Sequence, residues 1–408
     1  MVAGPEAERA GTRTVLRLDV WLLAAGGAAI AFAALYIALD INKLHALRFG
    51  IDNGIFLQSL SNLVHGGSMF NWGEGRSHWL VHDSWILLIL APFVALFPTQ
   101  ETLIGAQVIV LAASAVGLYV FATAIGVRPP AAAILSVAFL LWPSTQGFAY
   151  ADFSESHFEP LLIFVLATAV AKKNLPWSLL YAQLLMGVKE DVVLFLIWFG
   201  IIGAIWHDRR IGAAVAILAT INAAIYYGIV LMQGTHPNAP PYGLYVNRPF
   251  EDLTFLVEIL APAAFLPLWL GRWCLVAFPL VVELFFANWQ RFPIARTGTH
   301  YTEALVALVA IGTAVVLAKQ PSRASWCLAC TAIMALFFNP TVLHIGRRPF
   351  LPDPRFATLR AEVPTMRPMT FYIQEQGAWD IVAADGNARI LHNPWKKSYD
   401  VPAWNTSR

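Results

Sequence analysis

Long apolar stretches, repeated about a dozen times between residues 20 and 339, most constrain how this chain folds. Hydrophobic residues make up 58% of the sequence and charged residues only 13%, against about 25% charged residues in soluble domains. This pattern predicts an all-α polytopic integral membrane protein whose first partner is the lipid bilayer. The formal net charge of +2 gives no indication of a nucleic-acid partner.

The lengths of these stretches predict eleven membrane crossings. A helix needs about 20 apolar residues to cross a bilayer, and somewhat fewer in a tight bundle. The stretch 85–97 is shorter, contains Pro92 and follows Asp83, which is typical of a re-entrant or interfacial segment. The predicted crossings are 20–39, 102–124, 131–148, 157–171, 174–188, 191–206, 211–233, 253–270, 273–288, 303–318 and 325–339.

The distribution of lysine and arginine predicts the orientation. If 85–97 does not cross and the N-terminus is cytoplasmic, the basic loops lie on the cytoplasmic side, as the positive-inside rule requires. If 85–97 does cross, three basic loops move outside. We therefore predict a multi-pass protein of the inner (plasma) membrane. It has a cytoplasmic tail at 1–19, a transmembrane domain at 20–339 and a small extracytoplasmic C-terminal extension at 340–408.

The first outer loop, 40–101, carries the first candidate for chemistry. Between residues 53 and 64 apolar residues recur at helical spacing, which predicts a helix lying in the membrane interface with Gln58 and Ser61 on its opposite, polar face. Asp52 stands at the start of this helix. A carboxylate there either caps free backbone N–H groups or is a catalytic group held over a cavity at the membrane surface.

Later in the same loop, His82 and Asp83 are adjacent. An imidazole and a carboxylate this close together suit a divalent cation such as Mg²⁺ or Mn²⁺. The plain alternative is a solvated loop with an ordinary histidine.

Two further outer stretches are rich in ionisable residues. YADFSESHFEP, at 150–160, includes Asp152 and has no lysine or arginine, and clustered carboxylates repel unless a cation or a proton intervenes. GVKEDVVLF places Lys189, Glu190 and Asp191 between two apolar helices, where charged groups face a polar cavity or one another. Lys189 is placed to meet a phosphate as a point charge. The carboxylates Asp152, Glu190 and Asp191 are candidates for holding a metal or orienting an acceptor, and solvated turns remain the alternative for both stretches.

The loop 289–303 adds cations and aromatic rings. It contains Arg291, Arg296, His300 and Tyr301. Arginine among aromatic residues near the headgroups suits the phosphate of a lipid carrier, and it also suits simple interfacial anchoring.

Five segments carry a family resemblance: FGIDNGIFLQSLSNL, HDSWILLILAPFVALFP, DFSESHFEPLLIF, VKEDVVLFLIWFG and THYTEALVALVAIG. From about residue 45 to residue 318 the chain resembles the prokaryotic membrane family called domain of unknown function 2079. That family looks like a branch of the C-type glycosyltransferases (GT-C fold), multi-span enzymes that take sugars from polyprenyl-phosphate donors. In those enzymes the first outer loop carries a catalytic aspartate, and the resemblance implies this role for Asp52.

The leading hypothesis is therefore a membrane glycosyltransferase that moves a sugar from a polyprenyl-phosphate donor to an unknown acceptor at the outer face. Asp52 would be the catalytic base, and the donor phosphate would lie near Lys189 and Arg291 or Arg296. A transporter or flippase for a lipid or small solute is the first alternative, and it requires polar sites deep in the membrane. A non-catalytic membrane assembly protein is the second.

Overall fold

Helices dominate the fold, as the apolar periodicity predicts. The described residues contain fourteen α-helices, and apolar runs of the lengths seen in the sequence form helices because a bilayer leaves no water to pair with backbone groups. The computed structural model describes residues 19–46, 49, 52–71, 73–232, 243–244, 249–289, 292–293, 298–339, 370–373, 379–384 and 387–392.

The helices vary widely in length, from a single turn and a half to seven turns. In chain order they are α1 (Val20–His45), α2 (Asp52–Val64), α3 (Ala91–Leu96), α4 (Gln100–Ala124), α5 (Pro129–Leu141), α6 (Pro143–Tyr150), α7 (Glu159–Ala171), α8 (Leu175–Met186), α9 (Asp191–Trp206), α10 (Arg209–Met232), α11 (Pro249–Leu260), α12 (Phe278–Phe286), α13 (Glu303–Lys319) and α14 (Ala324–Phe338).

The described strands are short and all pair in antiparallel fashion. The first two form a hairpin, the next three a small sheet in the order β3-β4-β5, and the last three a sheet in the order β6-β7-β8 within the predicted C-terminal extension. Their bounds are β1 (Phe70–Asn71), β2 (Arg76–Ser77), β3 (Gly243–Leu244), β4 (Ala287–Trp289), β5 (Phe292–Pro293), β6 (Thr370–Ile373), β7 (Trp379–Ala384) and β8 (Asn387–His392).

The prediction of eleven full crossings is too high for the part of the chain that the structure describes. Six helical segments there are long and apolar enough to cross a bilayer, or seven if the bent pair α5–α6 forms one span. Helices α7, α8 and α9 have 13, 12 and 16 residues, below the roughly 20 that a crossing needs. The six segments are Val20–His45, Gln100–Ala124, Arg209–Ile229, Leu266–Phe285, His300–Lys319 and Pro321–Phe338.

Proline residues interrupt two of the predicted spans. The expected helix 131–148 is two helices bent by 52°, because Trp142, with ψ of 136°, takes the extended conformation that a following Pro143 favours. The expected helix 253–270 ends at Leu260, and residues 266–277 continue as two 3₁₀ stretches on either side of a kink at Gly271.

The apolar core lies between α1, α4, α5, α7 and α13. Its largest buried side chains include Trp142, whose ring meets the Phe139 ring edge-on at 5.7 Å. The indole N–H of Trp142 donates to Thr331 Oγ1 at 3.1 Å, and that hydroxyl donates in turn to the carbonyl of Pro262 at 2.9 Å. These bonds fix α14 and the residues after α11 against α5.

Helix α2 corrects the prediction of a polar face open to water. Asn53, Gln58 and Ser61 are all buried, although they lie opposite the apolar stripe. The backbone N–H of Phe153 donates to Asn53 Oδ1 at 2.6 Å, so the loop before α7 covers this face. Segment 85–97 is a 3₁₀ turn followed by the six-residue α3, too short to cross.

Candidate functional site

Four carboxylates that are far apart in sequence gather where four helices begin. Asp52, Glu159, Asp191 and Glu303 are the first residues of α2, α7, α9 and α13. A helix start offers free N–H groups and a positive dipole end, which favour a negative charge. Asp191 and Glu303 interact electrostatically with Glu159, and Asp52 interacts with Lys189. We call these four carboxylates with Lys189 and Glu190 the charged cluster.

The pKa of Asp52 is raised to about 7. Burial is the largest cause, and the negative charges of Asp152 and Glu155 add to it, while Lys189 opposes the shift. The residue itself remains half-exposed. Asp52 is therefore a carboxylate that exchanges a proton near neutral pH and is still reachable from outside.

Lys189 is the cation of the charged cluster. It is 7% exposed, and its Nζ lies 4.8 Å from the ring centroid of Tyr301, whose ring in turn packs on His300 at 4.0 Å. Burial alone would lower the pKa of Lys189, but Glu155 and Asp191 outweigh it and hold that pKa well above its usual value. Lys189 therefore keeps its positive charge.

His82 joins the first loop to the Lys-Glu-Asp turn. Its Nδ1 lies 2.9 Å from Glu190 Oε1, and the backbone N–H of Asp83 donates to Glu190 Oε2 at 3.3 Å. Burial works against the charge of Glu190, but His82 prevails and lowers the pKa of Glu190 to about 2. Burial and the Glu190 charge together raise the pKa of Asp83 to about 6.

A close backbone approach reinforces this junction. The N–H of Ile86 donates to the carbonyl of Gly187 at 2.8 Å. A Cβ at Gly187 would lie 2.1 Å from the ring of Trp85, so only glycine lets segment 85–97 dock against the turn at 189–191.

We expect the His82–Glu190 pair to make thermal stability depend on pH. Burial opposes the charge of His82, but Glu190 outweighs it and raises the His82 pKa. This contribution is therefore complete below pH 6.5 and is lost as the pH rises through the raised value. The Glu190 contribution is complete above pH 4.5 and is lost as the pH falls toward 2. The melting temperature of His82→Gln in detergent should therefore fall less than that of the wild type between pH 6 and pH 9.

The matched control for this prediction is His65→Gln, because His65 is exposed and contacts only the carbonyl of Ser61 among the hydrogen bonds of the described chain. An equal pH response in wild type and His82→Gln would contradict the prediction.

One buried histidine, His157, was not among the predicted site residues. His157 Nδ1 lies 2.5 Å from Glu303 Oε1, and neither side chain is exposed. The sequence did contain a signal for this pair. His157 is the first residue of one predicted crossing, and Glu303 is the first residue of another. Such residues at membrane depth are costly unless they pair.

Glu74 and His78 form a third polar group beside α2. Asn71 Nδ2 donates to Glu74 Oε2 at 2.6 Å, and His78 Nδ1 lies 2.9 Å from Glu74 Oε1. Burial works against the charge of Glu74, but His78 and Asn71 outweigh it and lower the Glu74 pKa. The ring of His78 packs edge-on against Phe56 at 4.9 Å, which ties the β1–β2 hairpin to α2.

Not every predicted residue has the environment expected of it. Asp152 pairs with Lys43 at 3.3 Å, and Lys43 also donates to the carbonyl of Tyr150 at 2.9 Å, so Asp152 has a structural partner. Arg291 and Arg296 lie outside the described residues.

The described residues offer no group of three His, Cys, Asp or Glu side chains arranged to hold a metal ion. Of the predicted ligands, His82 is engaged by Glu190. The geometry of the described residues therefore gives no three-ligand site for Mg²⁺ or Mn²⁺.

Comparison with known proteins identifies one family. Residues 44–240 match the family described as Predicted membrane protein (DUF2079), which confirms the family resemblance over that range. This segment runs from the end of α1 to the residues after α10 and includes Asp52 and the Lys-Glu-Asp turn. No curated protein and no solved structure shows significant similarity to the chain.

Proposed function

For a chain whose residues 44–240 match the DUF2079 membrane family, we propose that it transfers a sugar from a polyprenyl-phosphate donor to a hydroxyl acceptor, with inversion at the anomeric carbon. The observation that carries the proposal is Asp52, a half-exposed carboxylate with a pKa of about 7 beside a permanently charged Lys189. A general base works best when its pKa lies near the operating pH.

The reaction would proceed in one displacement. The Asp52 carboxylate takes the proton of the acceptor hydroxyl as that oxygen forms a bond to the anomeric carbon. The bond between that carbon and the phosphate oxygen breaks, and the electron pair leaves with the lipid phosphate. Lys189 stabilises the negative charge that grows on the leaving phosphate, a preorganised role that low-dielectric surroundings strengthen.

The surrounding contacts would hold these two groups in place. Asn53 fixes the start of α2 through the N–H of Phe153, and Glu190 fixes the Lys-Glu-Asp turn through His82. His300 and Tyr301 would form the wall on which the sugar or phosphate packs, because the Tyr301 ring already lies over Lys189. The carboxylates of Glu190 and Asp191 then act by position and charge rather than as proton acceptors.

One direct test is transfer by the purified full-length protein. A panel of polyprenyl-phosphate hexoses and pentoses carrying radiolabelled sugar would be incubated with the protein and a membrane extract as the source of acceptors. Label should move from the donor into a new product with inverted anomeric configuration. The same assay with and without a chelator measures any dependence on Mg²⁺ or Mn²⁺. Failure of every donor to react, in protein shown to be folded, would contradict the proposal.

The pH dependence of this reaction is a separate expectation. A base must be ionised to act, so the transfer rate should rise as the pH increases through about 7. The transfer rate should be measured as a function of pH between pH 5 and pH 8.5, at a saturating concentration of donor. A rate that is already flat below pH 6 would exclude a base with the pKa of Asp52.

The transport alternative is less well supported. A transporter requires polar sites near the bilayer midplane, whereas four of the carboxylates in the charged cluster open their helices at one end of the bundle. Farther along three of these helices, α7, α9 and α13, the described side chains form an apolar cavity. A counterflow assay in proteoliposomes with the same lipid donors distinguishes transport from transfer.

A further inference from the structure

An apolar cavity of about 600 Å³ runs between the helices from just beyond the charged cluster to the opposite end of the bundle. Helices α4, α7, α9, α11 and α13 and the segment 266–277 contribute its walls. It reaches up to Leu305, two residues past Glu303, and down to His207 and Asp208 in the turn before α10. Its volume lies within the roughly 300–1,000 Å³ that ligand pockets occupy.

One wall of this cavity has an irregular backbone. Residues 266–277 are two 3₁₀ stretches that meet at a kink at Gly271, where φ is 57° and ψ is −119°. Ala264 and Phe265 have φ of 52° and 55°. Backbone in such conformations persists where the surroundings determine it, often at ligand-binding sites. The chain therefore departs from a regular helix on the side that bounds the cavity.

The cavity is open beside this segment. Leu268 is 54% exposed and Cys274 is also exposed. At the same place the Arg272 guanidinium lies 5.0 Å from the ring of Trp206, which meets Trp273 edge-on at 5.3 Å. Tryptophan and arginine grouped in this way are typical of the headgroup level of a membrane.

No lysine or arginine is among the described residues that line the cavity, but several follow or precede lining residues in the chain at this end of the bundle. Asp208 already accepts from the backbone N–H groups of Arg210 and Ile211 at 3.0 Å, so its charge is used to cap α10. The exposed cations at this end in the described part of the chain are Arg128, Lys172, Lys173, Arg209, Arg210, Arg272 and Lys319.

We propose that this cavity binds an anionic phospholipid, with one acyl chain inside and the phosphate at the rim beside Arg272. Apolar cavities stay dry and take hydrocarbon readily. Basic residues near an anionic lipid surface each favour binding by an energy that corresponds to about a fivefold change in affinity. The charge at the rim and the apolar walls together specify this class of lipid. The site is separate from Asp52 and does not depend on the proposed transfer reaction.

Photo-crosslinking of the full-length protein tests this site. The probe is phosphatidylglycerol with a diazirine near the end of one acyl chain, compared with phosphatidylcholine carrying the same group. Irradiation in detergent followed by peptide mapping should place adducts on residues 266–277 and on the cavity face of α13. Labelling by phosphatidylglycerol should reach half its maximum at a several-fold lower concentration than labelling by phosphatidylcholine.

Variants separate the chain-binding and headgroup contributions. Ala167→Phe fills the cavity and should reduce the adducts, whereas Ala34→Phe, at an exposed position on α1, should not. Arg272→Gln should weaken phosphatidylglycerol labelling about fivefold and phosphatidylcholine labelling by less, because the choline cation offsets the charge of the phosphate. Arg128→Gln is the charge control, because α5 contributes no side chain to the cavity.

Two results would overturn the proposal. Adducts confined to outward helix faces would show that no acyl chain enters the cavity. Equal labelling by the two lipids would show that the site has no preference for an anionic headgroup. The wild-type map is decisive even where a variant fails to fold.

Discussion

Asp52→Asn is expected to lower the rate of sugar transfer about 10²–10⁴-fold, the typical contribution of a general base. Asparagine has nearly the same shape, but its amide cannot take a proton from the acceptor hydroxyl. Asparagine also caps helix starts as well as aspartate does, so α2 should form normally. The measurement is initial transfer rate at saturating donor, with melting temperature recorded on the same preparations.

This substitution also separates the two roles that the sequence left open for Asp52. If the carboxylate only caps α2, the asparagine variant should keep wild-type activity, and that result would refute the catalytic assignment. Asp208→Asn is the matched control, because Asp208 also caps the start of a helix, α10, but lies at the opposite end of the bundle. Its transfer rate should stay within twofold of the wild type.

Glu303→Leu is expected to reduce the free energy of unfolding by about 1–3 kcal/mol, the cost of leaving a buried polar group without its hydrogen-bond partner. His157 and Glu303 are both fully buried and contact each other at 2.5 Å. The leucine would leave His157 Nδ1 without its acceptor in apolar surroundings. Denaturant titration in mixed micelles measures the loss.

The double variant His157→Phe/Glu303→Leu provides the control for this effect. Replacing both partners with apolar groups leaves no unpaired polar atom at the Nδ1–Oε1 contact. Such replacements often change the free energy of unfolding very little. The double variant should therefore be more stable than Glu303→Leu alone. If the single variant unfolds like the wild type, the buried pair does not contribute to stability as the structure implies.

The apolar stretches of the sequence predicted the position of nearly every helix, but they did not predict where each helix begins and ends. The helix at 100–124 was predicted to within two residues because no proline interrupts it and its one charged residue, Glu101, lies in its first turn. The span predicted at 131–148 breaks at Pro143, and that at 253–270 ends before Pro262. Whether a proline kinks, breaks or ends a helix depends on the residues that it packs against. Those tertiary contacts cannot be read from the sequence.

The residues of the candidate site were easier to predict than their partners. Asp52 and the turn at 189–191 stood out because charges inside apolar sequence must be compensated. Their partners were hidden, because the contact between His82 and Glu190 joins residues 108 positions apart. The buried polar face of α2 was also hidden, since periodicity alone does not reveal that a second layer of protein covers Gln58 and Ser61.

The short helices α7, α8 and α9 have a consequence for the bilayer itself. At 1.5 Å per residue, the 16 residues of α9 are only about 24 Å long, less than the roughly 30 Å of a hydrocarbon core. Such hydrophobic mismatch is relieved by local thinning of the lipid. Lipid phosphates beside α7, α8 and α9 would then lie at the depth of Lys189. The polyprenyl-phosphate donor of the proposed reaction would reach Lys189 by lateral diffusion within its own leaflet.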